Sequence, residues 1–589
     1  MTFRIGKIRL AVPPLRYTET TSGYRIEFGR FTLNQSSFLL LAAVLVGLGG
    51  GYGAVIFRWL IRTEGLLAFG WLAPHLGFLA RLNVVPVLVL GGIATAFIVE
   101  RFAKEAKGHG VPEVMEAVAL RGGVMRPRVI AVKSIASATC IGFGGSCGRE
   151  GPIVQIGSTI GSLLGQLVQA PTSAVRTLVA CGAAAGISAT FNAPIGGVFF
   201  ASEIILGDFA PRSFATIVVA SVVAAVIGRA YFGNHPSFTA SVFQLVSPGE
   251  LAFYALLGVI AAFWAAAFVK LLYFLEDTFE GWHVGPLLKA ALGFGMVGVI
   301  GIWFPEIFGV GYGNINAVLA RHVPALHGLL LATLKPIATS LTLGSGGSGG
   351  IFAPSLYTGA MLGDAFGSVV HQAFPSWTAS AGAYGLVGMA AVFSAAAEAP
   401  ITSIMIVFEM SSDYTIVLPL MIATVIATIL GRRLLGYTIY EMKLIRRGID
   451  WMRVRRPSLF ARIRIRAVQR QPVVIAHAYD AIRTVAAQLR DSDEYVIPVV
   501  EAGRFLGMAA ATDIAAHLAE NPSGGAPIHT LVRVATATLS PRDTLERAAI
   551  MMAEPTVALL PVVDDATGKL LGIVTRRDVL RAYNSAAQA

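Results

Sequence analysis

From about residue 35 to 445 the chain is a succession of apolar runs cut by glycine and proline; beyond that the pattern turns polar. "FLLLAAVLVGLGGGYGAVIFRWLI" (38–61) is long enough to cross about 30 Å of hydrocarbon as a helix. "VVPVLVLGGIATAFIVERF" (84–102) and "FYALLGVIAAFWAAAFVKLLYF" (253–274) read as further full spans. "IVQIGSTIGSLLGQLV", "APIGGVFFASEI" and "SLYTGAMLGDAFGSVV" read as short, broken helices. Such breaks are tolerated at membrane depth only inside protein or beside a cavity. The tail changes period. "YVIPVVEAGRFLGMAAATDIAAHL" (495–518) and "ALLPVVDDATGKLLGIVTRRDVLRAY" (558–583) each predict strand, glycine turn, strand and amphipathic helix. The expected fold is mostly α, a polytopic membrane helical bundle followed by a small α/β tandem.

The membrane region is internally duplicated. "GGSCGREGP" (144–152) matches "GGSGGIFAP" (346–354), an offset of 202 residues. "GAAAGISATFNAPIGGVFFASE" (182–203) matches "GMAAVFSAAAEAPITSIMIVFE" (388–409), an offset of 206. Two stretches at nearly one offset predict repeat halves of about 35–230 and 245–445. Gly/Pro-interrupted segments at corresponding places point to an ion site at the repeat interface. The expected organisation is a polar arm at 1–34, a transport domain at 35–445, a basic linker at 446–470, and α/β modules at 471–528 and 529–587.

Charge adds orientation. The chain is 55% hydrophobic and 14% charged, with a net charge of +12. The excess flanks the membrane region. Residues 1–30 carry six Lys/Arg against two acids, and residues 443–466 carry nine against one. Lys and Arg beside spans mark the cytoplasmic side, so both termini are expected there. Contact with lipid headgroups accounts for the basic clusters better than nucleic acid does. The first 30 residues lack the apolar core of a cleavable signal. Short loops and no targeting segment fit a prokaryotic inner membrane. Cys140, Cys147 and Cys181 suggest neither a disulfide framework nor a metal site.

Glu150, in "GGSCGREGPIVQIG", is the residue that most needs a reason. An ionisable group at membrane depth is costly and by default functional. The glycines before it let an ion approach the backbone, and Pro152 fits the first turn of a helix. A helix start offers free N–H groups and the positive end of a dipole. "GGIFAP" repeats the device with the amides of Ile351 and Phe352. "KGHGVPEV" (107–114) adds a third helix start, with His109 in its loop. Helix starts meeting at mid-membrane would bind an anion and still release it. Glu150 would fill that site when ionised and leave it when protonated, which makes it a candidate gate. Arg149 reads as charge balance at the outer mouth. An intramembrane enzyme using Ser146, Cys147 or His109 is disfavoured, since no base is placed to activate Ser146. A metal-ion transporter would want several acidic or amide ligands facing the pore.

"GHGVPEV", "GREGP", "GGIFAP" and "TIYEMKL" together resemble the signature set of the CLC chloride channel and transporter family, and the tail resembles a pair of CBS domains. The resemblance implies an inverted repeat, a homodimer, and one chloride pathway per subunit with no required cofactor. It matches Glu150 to the gating glutamate, with Gly151 beside it. Ile351 and Phe352 match the amide donors, and Tyr440 the tyrosine whose hydroxyl faces the central anion. Gly108, Gly110, Pro112, Gly148, Arg149, Pro152, Gly350 and Pro354 then support the pathway. Two positions depart from the family. His109 stands where Ser is usual and Pro accompanies nitrate preference, so it too is expected to touch the anion. Ile204 stands where proton-coupled members carry the second of two glutamates. Channel-like or weakly proton-coupled chloride flow is expected, with antiport relayed by Glu203 as the alternative; Glu203 is also expected to share a helix-packing role with Glu409. Thr575 and Asp578 have the spacing CBS modules use for a ribose, while Ala510 replaces the hydroxyl beside Asp513 in the first module. That leaves room for one adenine nucleotide, against a purely structural or gating pair.

Overall fold

The computed structural model describes residues 31–234, 238, 245–320, 323–449, 460, 463–490, 492, 494–533, 537–554 and 557–588, and the backbone of segments 2–5, 8–11, 16–20 and 23–28. It separates into two compact units, 1–451 and 452–589. In the polar arm the backbone forms a two-stranded antiparallel pair, β1 (Thr2–Ile5) with β2 (Ile8–Ala11). A three-stranded antiparallel sheet follows: β3 (Arg16–Thr20), β4 (Gly23–Phe28) and β5 (Phe31–Asn34). Asn34 caps the first membrane helix by accepting from the Ser37 amide at 2.8 Å.

The first half of the membrane unit comprises α1 (Gln35–Gly65), α2 (Val84–Phe102), α3 (Val111–Leu120), α4 (Arg128–Gly142), α5 (Glu150–Leu167), α6 (Thr172–Phe191), α7 (Pro194–Phe200) and α8 (Pro211–Phe232). The second half repeats the order with α9 (Glu250–Gly281), α10 (Pro286–Gly301), α11 (Tyr312–Leu319), α12 (Ala325–Gly344), α13 (Phe352–Ala373), α14 (Ala381–Ala397), α15 (Pro400–Ser411) and α16 (Val417–Leu435). A short α17 (Glu441–Arg446) ends it. Seven described helices are long and apolar enough to cross a membrane.

Two of the segments read as broken are continuous. Residues 153–168 lie almost wholly in the 18-residue α5 and 355–370 in the 22-residue α13. Their breaks lie at the helix starts. Their internal glycines let backbones touch: a Cβ at Gly157 would strike the Gly182 carbonyl, and one at Gly359 that of Gly388. Packing through small residues explains these glycines. Only 193–204 is irregular inside, because α7 widens into a π-type turn over Ala201–Leu206.

The halves are inverted, and cross-capping demonstrates it. Glu203, just past α7, accepts from the α15 amides of Ile401 and Thr402 at 3.4 and 2.8 Å, and from the Thr402 hydroxyl at 2.6 Å. Glu409, late in α15, accepts from the α7 amides of Ile195 and Gly196 at 3.0 and 2.6 Å. Each helix start thus meets the far end of its mate, so the two run antiparallel. Asn192 and Glu398, 206 residues apart, end α6 and α14 with φ of 58° and 50°. The packing role expected of Glu203 and Glu409 is therefore a specific one, capping the opposite half.

The tail contains two pieces with separate cores. The first joins β6 (Ala476–His477), α18 (Ile482–Arg490), β7 (Val496–Glu501), β8 (Arg504–Ala510) and α19 (Ala511–Glu520). Here β6 runs parallel and β8 antiparallel to β7, over a core including Ile482, Val499 and Ile514. The second joins α20 (Leu545–Met551), β9 (Leu559–Val563), β10 (Leu570–Thr575) and α21 (Arg576–Gln588) around Leu545, Val562 and Val574. The linker expected at 446–470 needs correcting at its end. Ile465 is fully buried in the second core, so 463–470 belong to the folded tail; residues 450–459 and 461–462 of that linker lie outside the described residues.

The cross-caps yield a stability prediction. Glu409→Ala leaves two α7 amides without their charged acceptor and should cost about 1–3 kcal/mol, with Glu409→Gln costing less. Thermal unfolding of the detergent-solubilised protein checks it; equal midpoints for Ala and wild type would contradict the capping role.

Candidate functional site

Three loops meet at the starts of α3, α5 and α13. Gly148 and Gly350 exchange backbone hydrogen bonds at 2.7 and 2.6 Å, so the two repeat motifs pair directly. The third loop joins them, with the Gly108 amide donating to Gly347 at 3.1 Å and the Gly349 amide donating to Gly108 at 3.2 Å. Contacts are so close that side chains are excluded. A Cβ on Gly151 would strike the His109 carbonyl, and one on Gly350 would stand 2.7 Å from the Gly151 nitrogen. Gly110 turns into α3 with φ of 86°, a backbone that favours glycine, and Pro112 sits in that helix's first turn. Pro152 and Pro354 occupy equivalent first-turn places in α5 and α13.

Glu150, the first residue of α5, is buried at 1% exposure. Its carboxylate folds back over Gly148, where any Cβ would collide with Oε2. Oε2 accepts from the Ala353 amide at 3.3 Å, in the first turn of α13. Oε1 accepts from the Tyr312 hydroxyl at 2.5 Å. Arg149 Nε lies 4.0 Å from Oε1, and its guanidinium covers the Tyr312 ring at 4.9 Å. A cavity of about 250 Å³, lined by Arg58, Arg149, Phe191, Asn192 and Tyr312, opens against this cluster.

The expected donors Ile351 and Phe352 lie at the start of α13. The amide reaching the carboxylate belongs to Ala353, one residue beyond the pair Ile351 and Phe352. Ile351 precedes α13, and Phe352 begins it with its ring packed 4.2 Å from Phe393 and 5.2 Å from Phe191. His109 is buried, its ring edge-on to Tyr273 at 6.4 Å and its Nδ1 without a hydrogen-bond partner among the described residues. Tyr440 is buried immediately before α17; Ile439 anchors that segment by donating to Ala396 at 2.8 Å and accepting from the Tyr273 hydroxyl at 2.5 Å. Ser146 is occupied within the core, its amide donating to Thr342 Oγ1 at 3.1 Å. Ile204 is buried, 7% exposed.

Sequence reasoning missed three groups. Tyr312 lies outside every quoted motif. Lys133 and Lys335 are fully buried, 202 residues apart. Lys133 Nζ donates to the Ala106 and Gly108 carbonyls at 2.9 and 2.8 Å, just before α3. Lys335 Nζ donates to Ile307 and Gly309 at 2.8 and 2.7 Å, just before α11. The repeat offset already found would have flagged them as a matched pair.

In the tail, Thr575 and Asp578 bond each other. The Thr575 hydroxyl and amide donate to Asp578 Oδ2 at 2.6 and 3.0 Å, and Arg470 Nε lies 3.3 Å from the same oxygen. Asp513 pairs with Arg533 at 2.9 Å.

Comparison with known proteins agrees with this architecture. A family model described as "Voltage gated chloride channel" matches residues 91–432, and the CBS domain model matches 465–520 and 532–585. A ClcB-like chloride channel protein of Ralstonia nicotianae is 34% identical over 431 residues, covering 71% of this chain and 99% of that one. An H(+)/Cl(-) exchange transporter ClcA of Vibrio campbellii is 32% identical over 422 residues, covering 69% and 89%. The crystal structure of a slow cyanobacterial Cl-/H+ antiporter superposes with a TM-score of 0.65 at 25% identity, covering 70% of this chain and 98% of that one. A eukaryotic CLC transporter gives a TM-score of 0.64 at 20% identity over 92% and 99%. The inverted halves, the loops that join them and the paired tail modules thus have one common source: the chain belongs to the voltage-gated chloride channel (CLC) family of membrane anion-transport proteins and carries a C-terminal pair of CBS domains.

Proposed function

We propose that the protein carries chloride and similar anions through a path that passes Glu150, and that the Glu150 carboxylate competes with the anion for the same place. The observation carrying this reading is the position of that carboxylate, between the Ala353 amide and the Tyr312 hydroxyl. An ionised carboxylate stands where donors converge, so an anion bound there must displace it. His109, Gly151, Ile351, Phe352 and Tyr440 are proposed to line the anion's route, and the paired glycines to hold the loops open to it. Voltage dependence follows in this reading from moving a charge within the membrane field.

Chloride flow is proposed to be channel-like or weakly proton-coupled. Ile204 cannot accept a proton, and Glu203 has both carboxylate oxygens engaged as a cap on α15. The second reading, antiport through Glu203, is favoured by relatives named as exchange transporters. We propose a homodimer in a prokaryotic inner membrane, as the family resemblance and the short loops suggest, with cytoplasmic termini, which the flanking Lys and Arg support. The CBS pair is proposed as a structural or gating element. The mutual bonding of Thr575 and Asp578 supports this over an adenine-nucleotide site.

Two outcomes test the reading in liposomes. Anion flux through wild type should rise with acidity, whereas Glu150→Gln flux should vary by less than about twofold across the range where a glutamate titrates. A mutant retaining wild-type pH dependence contradicts the gate. With a chloride gradient imposed and internal pH followed, no sustained uphill proton movement should occur. Pumping at a fixed stoichiometry that is lost in Glu203→Gln would establish the antiport reading instead.

A further inference from the structure

A buried ion pair lies beside the loop that carries His109, the same loop whose backbone packs on Gly151. Gly151, next to Glu150, packs its Cα against the His109 carbonyl. The neighbouring Gly108 has φ of 76°, and a Cβ there would stand 2.5 Å from Lys443 Nζ. The ammonium of Lys443 therefore lies against the loop that carries His109. It bonds Glu276 Oε1 at 3.1 Å, with the two side chains only 10% and 11% exposed. The other Glu276 oxygen and His109 Nδ1 are both buried without hydrogen-bond partners among the described residues. The contacts thus run from Glu150 through Gly151, His109 and Gly108 to Lys443 and Glu276.

Lys443 differs from the other buried lysine of this loop. Lys133 uses its ammonium on two backbone carbonyls, which fixes the loop. Among the described residues Lys443 makes one hydrogen bond, to a carboxylate whose other oxygen has no partner there. Arg447, close by in sequence, has its charge matched by Glu113 and Glu116 at 2.7 and 3.1 Å. A buried ion pair gives little net stability compared with apolar residues of similar volume, so fold stability alone does not account for it. A full positive charge beside an anion path raises occupancy, and a carboxylate behind it lowers occupancy towards a value that permits release.

Resting on the anion-transport reading above, we propose that Lys443 is an affinity-setting cation of the path, acting on an anion beside His109, and that Glu276 tempers it. The two residues then have opposite effects, which a merely structural pair would not show.

The test is chloride titration calorimetry on the purified full-length protein, with thermal unfolding measured alongside. Lys443→Met should weaken chloride binding by about tenfold and Glu276→Gln should strengthen it severalfold. The double variant, which leaves no unpaired charge, should keep close to the wild-type midpoint and bind chloride more weakly than Glu276→Gln alone. Affinity shifts of the same sign in both single variants, or none in either, would overturn the proposal. Unchanged affinity in the variants while wild type still transports chloride defeats only this inference. A wild type that binds chloride with the expected variant pattern but transports none defeats only the transport reading.

Discussion

The central constraint is backbone packed on backbone at a depth where water cannot help. Gly148 and Gly350 pair across the two halves, and Gly108 pairs with residues 347–349. Every N–H and C=O brought there must find a partner within the protein. The ladder supplies some of them, and the starts of α5 and α13 leave others facing one small region. In the proposed function the anion chemistry draws on that leftover donor capacity. Side chains on Gly148, Gly151 or Gly350 would push the loops apart and remove it.

The duplicated sequence solves one problem twice. The loops before α3 and α11 each expose carbonyls to the interior, and Lys133 and Lys335 satisfy them. The starts of α7 and α15 each leave free amides, and Glu409 and Glu203 satisfy those from the opposite half. The halves cannot be completed separately, because each supplies the cap the other lacks. Against this symmetry, Glu150 is the asymmetric element. Its counterpart in the repeat is Phe352, packed among aromatic rings. At this matched position of the paired motifs, the first half carries a carboxylate and the second an apolar ring.

Much of this was legible in the sequence because glycine and proline sit at fixed places for strong steric reasons. "GREGP" and "GGIFAP" announced helix starts, and α5 and α13 begin at Glu150 and Phe352. The β-branched runs of the tail marked its strands. Tyr312 was not legible: its bond to Glu150 spans 162 residues and leaves no local pattern. Lys133 and Lys335 were visible only as charges in apolar runs, and their carbonyl partners depend on how the loops fold back. The reading of 153–168 and 355–370 as broken failed for an identifiable reason. Glycine inside a helix looks the same in sequence whether it ends the helix or admits a neighbouring backbone. The Gly157–Gly182 and Gly359–Gly388 contacts settle which it is.

The proposed gate requires that the Glu150 carboxylate and a permeating anion occupy one place. Crystals of wild type and Glu150→Gln grown in bromide test this by anomalous scattering. A shared place predicts a bromide peak in the variant within hydrogen-bond reach of the Ala353 amide and the Tyr312 hydroxyl, and in wild type the carboxylate at that position with no bromide. Bromide bound there in wild type with the carboxylate still in place, or no bromide there in the variant while other sites fill, would contradict it.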